Sequence, residues 1–389
     1  MGIYTEYLEK NMDFNAITAE RKRLLTQLSS LRGNRDILVY ASDLNKNQAP
    51  VSIDYSDIMP FQDQLSNLKG KAIDIILETP GGFAEVVEDL VKLVRGRYES
   101  VGIIIPGYSK SAGTIFAMAG DEILMGATSA LGPIDAQIIT NGKRFSAEAF
   151  LEGLKKIKED VQKNGLNLAY VPILQNISPG EIQHCENAQN FSQTLVSNWL
   201  AKYKFKNWNT HKTSGKPVTE NDKLNRAKEI GSLLCNHSEW LTHGRSIKID
   251  DFLKMKLLIM DYSNDPQLND VITRYYTLLR MTFDQAGIYK IFETTTSQIM
   301  RFVGPQVPLP QPGIPSSKPK SAKINFDCSK CHSKFIIQAN LEVGLLYEKD
   351  SVPYPIDNDI FVCLNCGTQT NLNQARLQIE AQTGGKIVK

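Results

Sequence analysis

The sequence predicts an α/β protein, a parallel sheet with flanking helices, followed by a small β module held together by cysteines. Three observations carry this. Between residues 36 and 137, short and nearly all-apolar runs alternate with amphipathic helical stretches, the pattern of a sheet covered on both faces. A proline-rich stretch from Gly304 to Pro319 then interrupts the pattern. Beyond it stand two CxxC pairs, Cys328/Cys331 and Cys363/Cys366, separated by 31 residues.

The bulk properties agree. A chain of 389 residues has length for two or three structural units, and 42% hydrophobic with 22% charged residues is ordinary for a soluble globular protein. A net charge of +2 gives no reason to expect nucleic acid or a membrane surface as partner. No apolar run approaches the ~18 residues of a membrane span, and the N-terminus lacks a basic-then-apolar leader. The expectation is a cytoplasmic protein.

In order, residues 1–35 read as an N-terminal helical segment, with Leu8, Ile17, Leu24, Leu25, Leu28 and Leu31 at helical spacing before Gly33. Residues 36–303 read as the main domain. Asp36 to Ala41, Ala72 to Leu77, Val101 to Ile105 and Glu122 to Met125 are its strands. Ser56 to Leu68 and Ala84 to Arg95 are helices between them. From Ser146 to about Lys202 the pattern is helical with a break at Ser178-Pro-Gly180, and residues 203–220 form a polar loop. Asp222 to Leu234 and Gln267 to Phe302 are expected as further helices. A linker over 304–323, a zinc ribbon over 324–372 and a polar tail over 373–389 complete the chain. Cys185 and Cys235, far apart in helical patterns, read as buried apolar thiols.

Two corners carry chemistry. Thr79-Pro-Gly81-Gly82 follows the second strand, and Lys110-Ser111-Ala112-Gly113 follows the third. In a parallel sheet, strand ends of this kind converge on the ligand crevice. Ser109-x-Ser111-x-Gly113 is a near match to the nucleophile elbow, with Ser109 in place of its first glycine. Taken singly, the first motif also reads as a tight turn and the second as a helix cap. Together they offer a nucleophile, Ser111, and amides at Gly81, Gly82 and Ala112 for an oxyanion hole.

The run from TPGG through SKSAGT and GDEILM to SALGPID resembles the fold of the Clp protease subunit and the crotonases. Within that fold it is most similar to the signal peptide peptidase A-like group, especially the family called serine dehydrogenase proteinase. The resemblance spans roughly residues 15–300, strongest from Glu78 to Gln137 and near Trp240-Leu-Thr-His-Gly-Arg245. It implies a serine peptidase acting on peptides or proteins, with Ser111 as nucleophile, and assembly into a homo-oligomer.

Where the Clp subunit has its histidine base, this sequence has Asp135. That departure points to the Ser-Lys dyad of similar peptidases. Among Lys143, Lys155, Lys156, Lys158 and Lys163, Lys158 lies at the edge of the apolar stripe Phe150, Leu151, Leu154, Ile157 and Val161. Lys155 is next, and His243 stands in reserve. A lysine base requires burial or a cationic neighbour. Despite the family name, no GxGxxG follows a strand, so no dinucleotide site is expected.

Four thiolates at Cys328, Cys331, Cys363 and Cys366 suit a structural Zn²⁺, which would stabilise a module too small for a core of its own. The expected role of the ribbon is recruitment of a substrate or partner protein. Two rival readings share these residues: a crotonase-like acyl-CoA enzyme using the same amides, and a catalytically silent scaffold acting through the ribbon.

Overall fold

In a computed structural model, the structure describes residues 2–46, 48–140, 143–211, 214–285, 287–303, 319–383 and 385–388. The chain divides into two compact units, Met1–Pro305 and Gln306–Lys389.

Unit 1 is built on a sheet of seven strands among the described residues. They are β1 (Asp36–Ser42), β2 (Ala72–Glu78), β3 (Ser100–Ile105), β4 (Glu122–Met125), β5 (Met260–Asp261), β6 (Ile288–Thr294) and β7 (Gln298–Phe302). Their order across the sheet is β7-β6-β1-β2-β3-β4-β5. β1 to β5 run parallel. β6 and β7 form a hairpin antiparallel to each other and to β1.

That hairpin corrects the helix expected over 267–302. The helix from Pro266 ends at Gln285, and Ile288-Tyr-Lys-Ile-Phe-Glu-Thr is rich in β-branched and aromatic residues that favour a strand. Buried charge fixes its place. Lys290 donates to both carboxylate oxygens of Asp57 at 2.9 and 2.8 Å, and Arg21 pairs with Glu293 at 3.2 Å. Such fully buried pairs specify register more than they add stability.

Strand residues alternate between two cores. Leu38, Tyr40, Ile75, Leu77, Ile103 and Ile105 face the helices α3 (Ile58–Ser66), α4 (Ala84–Arg95) and α5 (Ala112–Ala117). Ile37, Val39, Ala41, Ile76, Ile104 and Leu124 face α2 (Phe14–Leu31) and the long helix Pro266–Gln285. A short α1 (Ile3–Glu9) precedes α2 and buries Tyr7 in this second core. α4 shows how sequence sets a face: Val86, Val87, Leu90, Val91 and Val94 point inward at helical spacing.

Helices α6 (Ala147–Asn164) and α7 (Pro179–Trp199) lie between β4 and β5 in the chain. Of α6 only Ala147 is buried, so Phe150, Leu151, Leu154, Ile157 and Val161 stay half-exposed. No helix among the described residues is long and apolar enough to cross a membrane.

Unit 2 pairs Ser321–Asp327 with Lys334–Asn340 antiparallel, adds Ser351–Pro353, and carries a second small pair, Ile360–Val362 with Gln369–Asn371. The linker expected over 304–323 lies, over 304–318, outside the described residues. Its last part belongs to the first strand, because Ala322, Ile324 and Phe326 alternate onto one face. The tail expected over 373–389 also differs. It begins as a helix, Asn373–Thr383, which buries Ile379, and Val388 then donates to Asn340 at 2.8 Å.

Candidate active site and cysteine cluster

The two glycine-bearing corners meet at the C-terminal ends of β2 and β3. Thr79 donates its amide to the Tyr108 carbonyl at 3.0 Å, and Lys110 donates to the Thr79 carbonyl at 3.0 Å. This strand-like pairing lays the glycine loop along the serine corner. Gly81 has φ +103°, and a Cβ there would lie 2.7 Å from Ser111 Cβ and 2.8 Å from the Lys110 carbonyl. Only glycine permits both the dihedral and the approach. Gly82, at φ +151°, has Ile53 backbone where a side chain would go.

Ser111 itself has φ +51° and ψ −118°, a backbone state that non-glycine residues rarely adopt. It occupies the N-cap position of α5, yet its hydroxyl makes no capping bond. The corner is held instead by its neighbours. Gly113 donates to the Lys110 carbonyl at 2.8 Å, and Thr114 Oγ1 donates to the Ser109 carbonyl at 3.1 Å. Backbone strain of this kind clusters at active sites and ligand clamps.

The amides divide by availability. Gly81 N–H donates to Thr79 Oγ1 at 3.1 Å. Among the described residues, the N–H groups of Gly82 and Ala112 donate to no protein acceptor. Those two amides remain open to a ligand, while Gly81 supplies the close approach to Ser111.

The lysines and histidines fall differently from the sequence expectation. Lys158 is exposed on α6, and Lys155 faces Glu159 on the surface at 4.0 Å. Neither has the burial that a lysine base requires. Lys110, next to Ser111, is half-buried and donates to the Leu131 carbonyl, the Arg245 carbonyl and Ser246 Oγ, each at 3.0 Å. Burial, with Lys248 nearby, pulls its pKa down to about 8. Two of these three acceptors tie the Arg245–Ser246 segment to the serine corner.

Beside this lies a cluster the sequence only hinted at. Asp135 is fully buried and binds His243 Nδ1 at 2.6 Å through Oδ1 and His237 Nδ1 at 3.1 Å through Oδ2. Burial opposes its charge, but hydrogen bonds from His243, Ser146 and His237 hold its carboxyl below the usual range. The backbone register explains the meeting: Ser109 pairs with Leu131, and Leu131 exchanges two hydrogen bonds with Ile247 at 3.1 and 2.9 Å. Asp135 and His243 lie four residues from those two partners.

Behind the glycine loop, Glu78 is almost wholly buried. Burial pushes its pKa up to about 8, against the Arg280 guanidinium at 3.5 Å and the Tyr276 hydroxyl at 3.2 Å. Folded protein therefore retains a proton there that the unfolded chain releases above its ordinary 4.5. Stability from this group is full below pH 4.5, declines as pH rises toward 8, and is level above. For Glu78→Gln, the melting temperature should gain on wild type between about pH 6 and 9, by roughly 2–3 kcal/mol of relative stability. A difference independent of pH would refute this.

In unit 2, Cys328, Cys331, Cys363 and Cys366 bring their sulfurs within 4.8 Å of one another. Cys328 and Cys366 lie 3.5 Å apart and Cys331 and Cys363 3.6 Å, with no disulfide formed. Tetrahedral Zn–S bonds of about 2.3 Å would set sulfurs about 3.8 Å apart, so the donor set fits. The knuckle turns place His332 at φ +56° and Gly367 at φ +72°. His332 is not part of the four-residue cluster. Cys185 and Cys235 are buried free thiols.

Residues 51–231 match the family described as ClpP-like SDH-type serine proteinase. Two uncharacterized proteins of Methanocaldococcus jannaschii are similar in sequence. One is 27% identical over 168 residues, 42% of this chain and 53% of its own; the other is 30% identical over 164 residues, 41% and 50%. The chain thus spans about half the length of the curated relatives it matches. Among solved structures, a 1510-N membrane-bound stomatin-specific protease is 14% identical at a TM-score of 0.33, covering 57% of this chain and 79% of that one. The same protease with a substrate peptide gives 13%, 0.32, 65% and 86%.

Proposed function

We propose that this chain, whose residues 51–231 match the family described as ClpP-like SDH-type serine proteinase, is a serine peptidase whose nucleophile is Ser111. The observation that carries this is the contact of Gly81 with a strained, uncapped Ser111, flanked by the unengaged amides of Gly82 and Ala112. Ser111 Oγ attacks the peptide carbonyl carbon, and its proton passes to a base. The carbonyl oxygen takes the electron pair and is held by the Gly82 and Ala112 amides. As the carbonyl re-forms, the C–N bond breaks and the amine leaves with the proton. Water then hydrolyses the acyl ester and restores Ser111.

For the base, the Ser-Lys reading assigns Lys158. Its exposure in a single chain means this scheme works only if α6 is covered in an assembly, and the half-exposed apolar stripe of α6 supports a homo-oligomer. A second reading is favoured by a specific observation: His243, oriented by buried Asp135, lies on the segment that Lys110 fixes to the serine corner. An imidazole oriented by a carboxylate is a common general base in catalysis.

Peptide hydrolysis by the full chain separates them. His243→Ala with a loss of about 100-fold or more and Lys158→Ala near wild type would establish His243, and the reverse would establish Lys158. Full activity in both variants contradicts both readings.

The ribbon is proposed to hold one structural Zn²⁺ through its four cysteines and to recruit a protein substrate or partner. A cytoplasmic location is part of the same proposal. The crotonase-like alternative would leave Ser111 incidental, which the strain at that residue disfavours.

A further inference from the structure

The lysine beside the nucleophile is built into its surroundings more closely than a solvated charge requires. Lys110 Nζ has three N–H groups and three acceptors, the Leu131 carbonyl, the Arg245 carbonyl and Ser246 Oγ, each at 3.0 Å. Gly132 leaves room for its stem, since a Cβ there would lie 2.7 Å from Lys110 Cδ. Lys248 meets it with like charge and donates in turn to the Thr128 and Ser129 carbonyls at 3.2 and 2.8 Å. The Tyr108 ring lies to one side, its centroid 5.7 Å from Nζ. The Arg245 side chain lines a cleft with Glu239, Trp240 and Asp251. Asp135, three residues past Gly132, is taken up by His237 and His243. Among the described residues no carboxylate pairs with Lys110, so backbone carbonyls and one hydroxyl hold its charge.

We propose that Lys110 is a positioning residue whose ammonium, fully protonated, holds the His243 segment in register with Ser111. It rests on the peptidase reading in its His243 form and deepens it. The covalent path is short at both ends: Lys110 is bonded to Ser111, and Arg245 is two residues from His243. One side chain therefore spans the corner that bears the nucleophile and the segment that bears its proton acceptor. The backbone pairing of Leu131 with Ile247 ends four residues short of His243, and Lys110 supplies the tie beyond it.

The clamp depends on charge. A bond donated by an ammonium is about twice as strong as one donated by a neutral amine. A neutral Lys110 has two N–H donors left, and keeps its contact with Ser246 only if that hydroxyl turns to donate. Burial, with Lys248 nearby, brings this change to about pH 8, so the clamp is whole below that pH and loosens above it. A misplacement of about 1 Å at a reacting group costs about 100-fold in rate, so the loss should appear in kcat rather than in KM.

The test is hydrolysis of casein by the full chain from about pH 6 to about pH 10. Wild-type kcat should fall with a midpoint at about pH 8. Lys110→Met keeps the stem and loses the donors, and should lower kcat about 100-fold at neutral pH with KM nearly unchanged. Lys110→Arg stays charged throughout, so it should recover part of that loss and lack the alkaline fall. A fall that persists in Lys110→Arg belongs to another group, Glu78 among them, and overturns the proposal. A wild type without the fall, or Lys110→Met with wild-type kcat, overturns it too. In a His243→Ala background, Lys110→Met should cost little more, because the two residues act as one unit. A further loss of about 100-fold there would show that Lys110 does not act through His243. Melting temperatures establish that each variant folds. Full activity in His243→Ala, or no hydrolysis by wild type, overturns the reading beneath the proposal and the proposal with it.

Discussion

Replacing Ser111 with glycine should abolish peptide hydrolysis and, at the same time, make the protein more stable. Ser111 sits at φ +51° with its hydroxyl free of a capping bond, so the folded state gains nothing from the side chain and carries the cost of the dihedral. That cost is about 1–3 kcal/mol for a residue held in a sparsely populated region. Glycine relieves it but adds conformational freedom to the unfolded chain, leaving a net gain of about 1 kcal/mol. Ser111→Ala keeps the strain, so its melting temperature should stay close to wild type. Hydrolysis should fall at least about ten-thousand-fold in both, the scale on which serine nucleophiles act. Thermal melting beside a peptide assay checks the pair. A destabilised glycine variant would mean that the hydroxyl supports the corner and that Ser111 is structural.

Loss of the metal is expected to undo unit 2 while sparing unit 1. The buried apolar group of unit 2 is small, centred on Ile337, Ala339, Tyr354 and Phe361. Structural zinc contributes on the order of 10 kcal/mol of apparent folding free energy in small domains, more than such a core supplies. Metal analysis of the full chain should find one zinc per chain, and Cys328→Ser or Cys363→Ser should lose it. Limited proteolysis after a strong chelator should then cut within residues 319–388 and leave unit 1 intact. A chelated chain that resists proteolysis there would contradict a structural metal.

The sheet was legible in the sequence wherever strands are buried on both faces. Ile73-Asp-Ile-Ile-Leu77 and Val101-Gly-Ile-Ile-Ile105 are too short and too β-branched for helices, and each was bounded to within a residue or two. The hairpin of β6 and β7 escaped because its charged residues, Lys290 and Glu293, mimic the polar face of a helix. Only tertiary partners, Asp57 and Arg21, show that they point into the interior. The C-terminal helix escaped for the opposite reason: its few apolar residues find their partners only once the ribbon strands have formed.

The site divides in the same way. Gly81, Gly82, Ser111 and Ala112 lie on two local motifs, and a local turn is what sequence specifies well. The base depends on long-range packing. Lys158 was singled out by its edge position on a stripe assumed to be buried, and α6 buries only Ala147. His243 and Asp135 are 108 residues apart, and only the pairing of Leu131 with Ile247 brings them together. The one sequence signal was Asp135 standing where the resembling family has its histidine. A partner for that carboxylate could have been sought then among the chain's five histidines.

The central claim is that Ser111 is a nucleophile. It is tested most directly by treating the full chain with a fluorophosphonate and locating the adduct by peptide mass spectrometry. One adduct per chain on Ser111, absent from Ser111→Ala, is the predicted result. An unlabelled Ser111 in a folded chain that still hydrolyses peptides would contradict it.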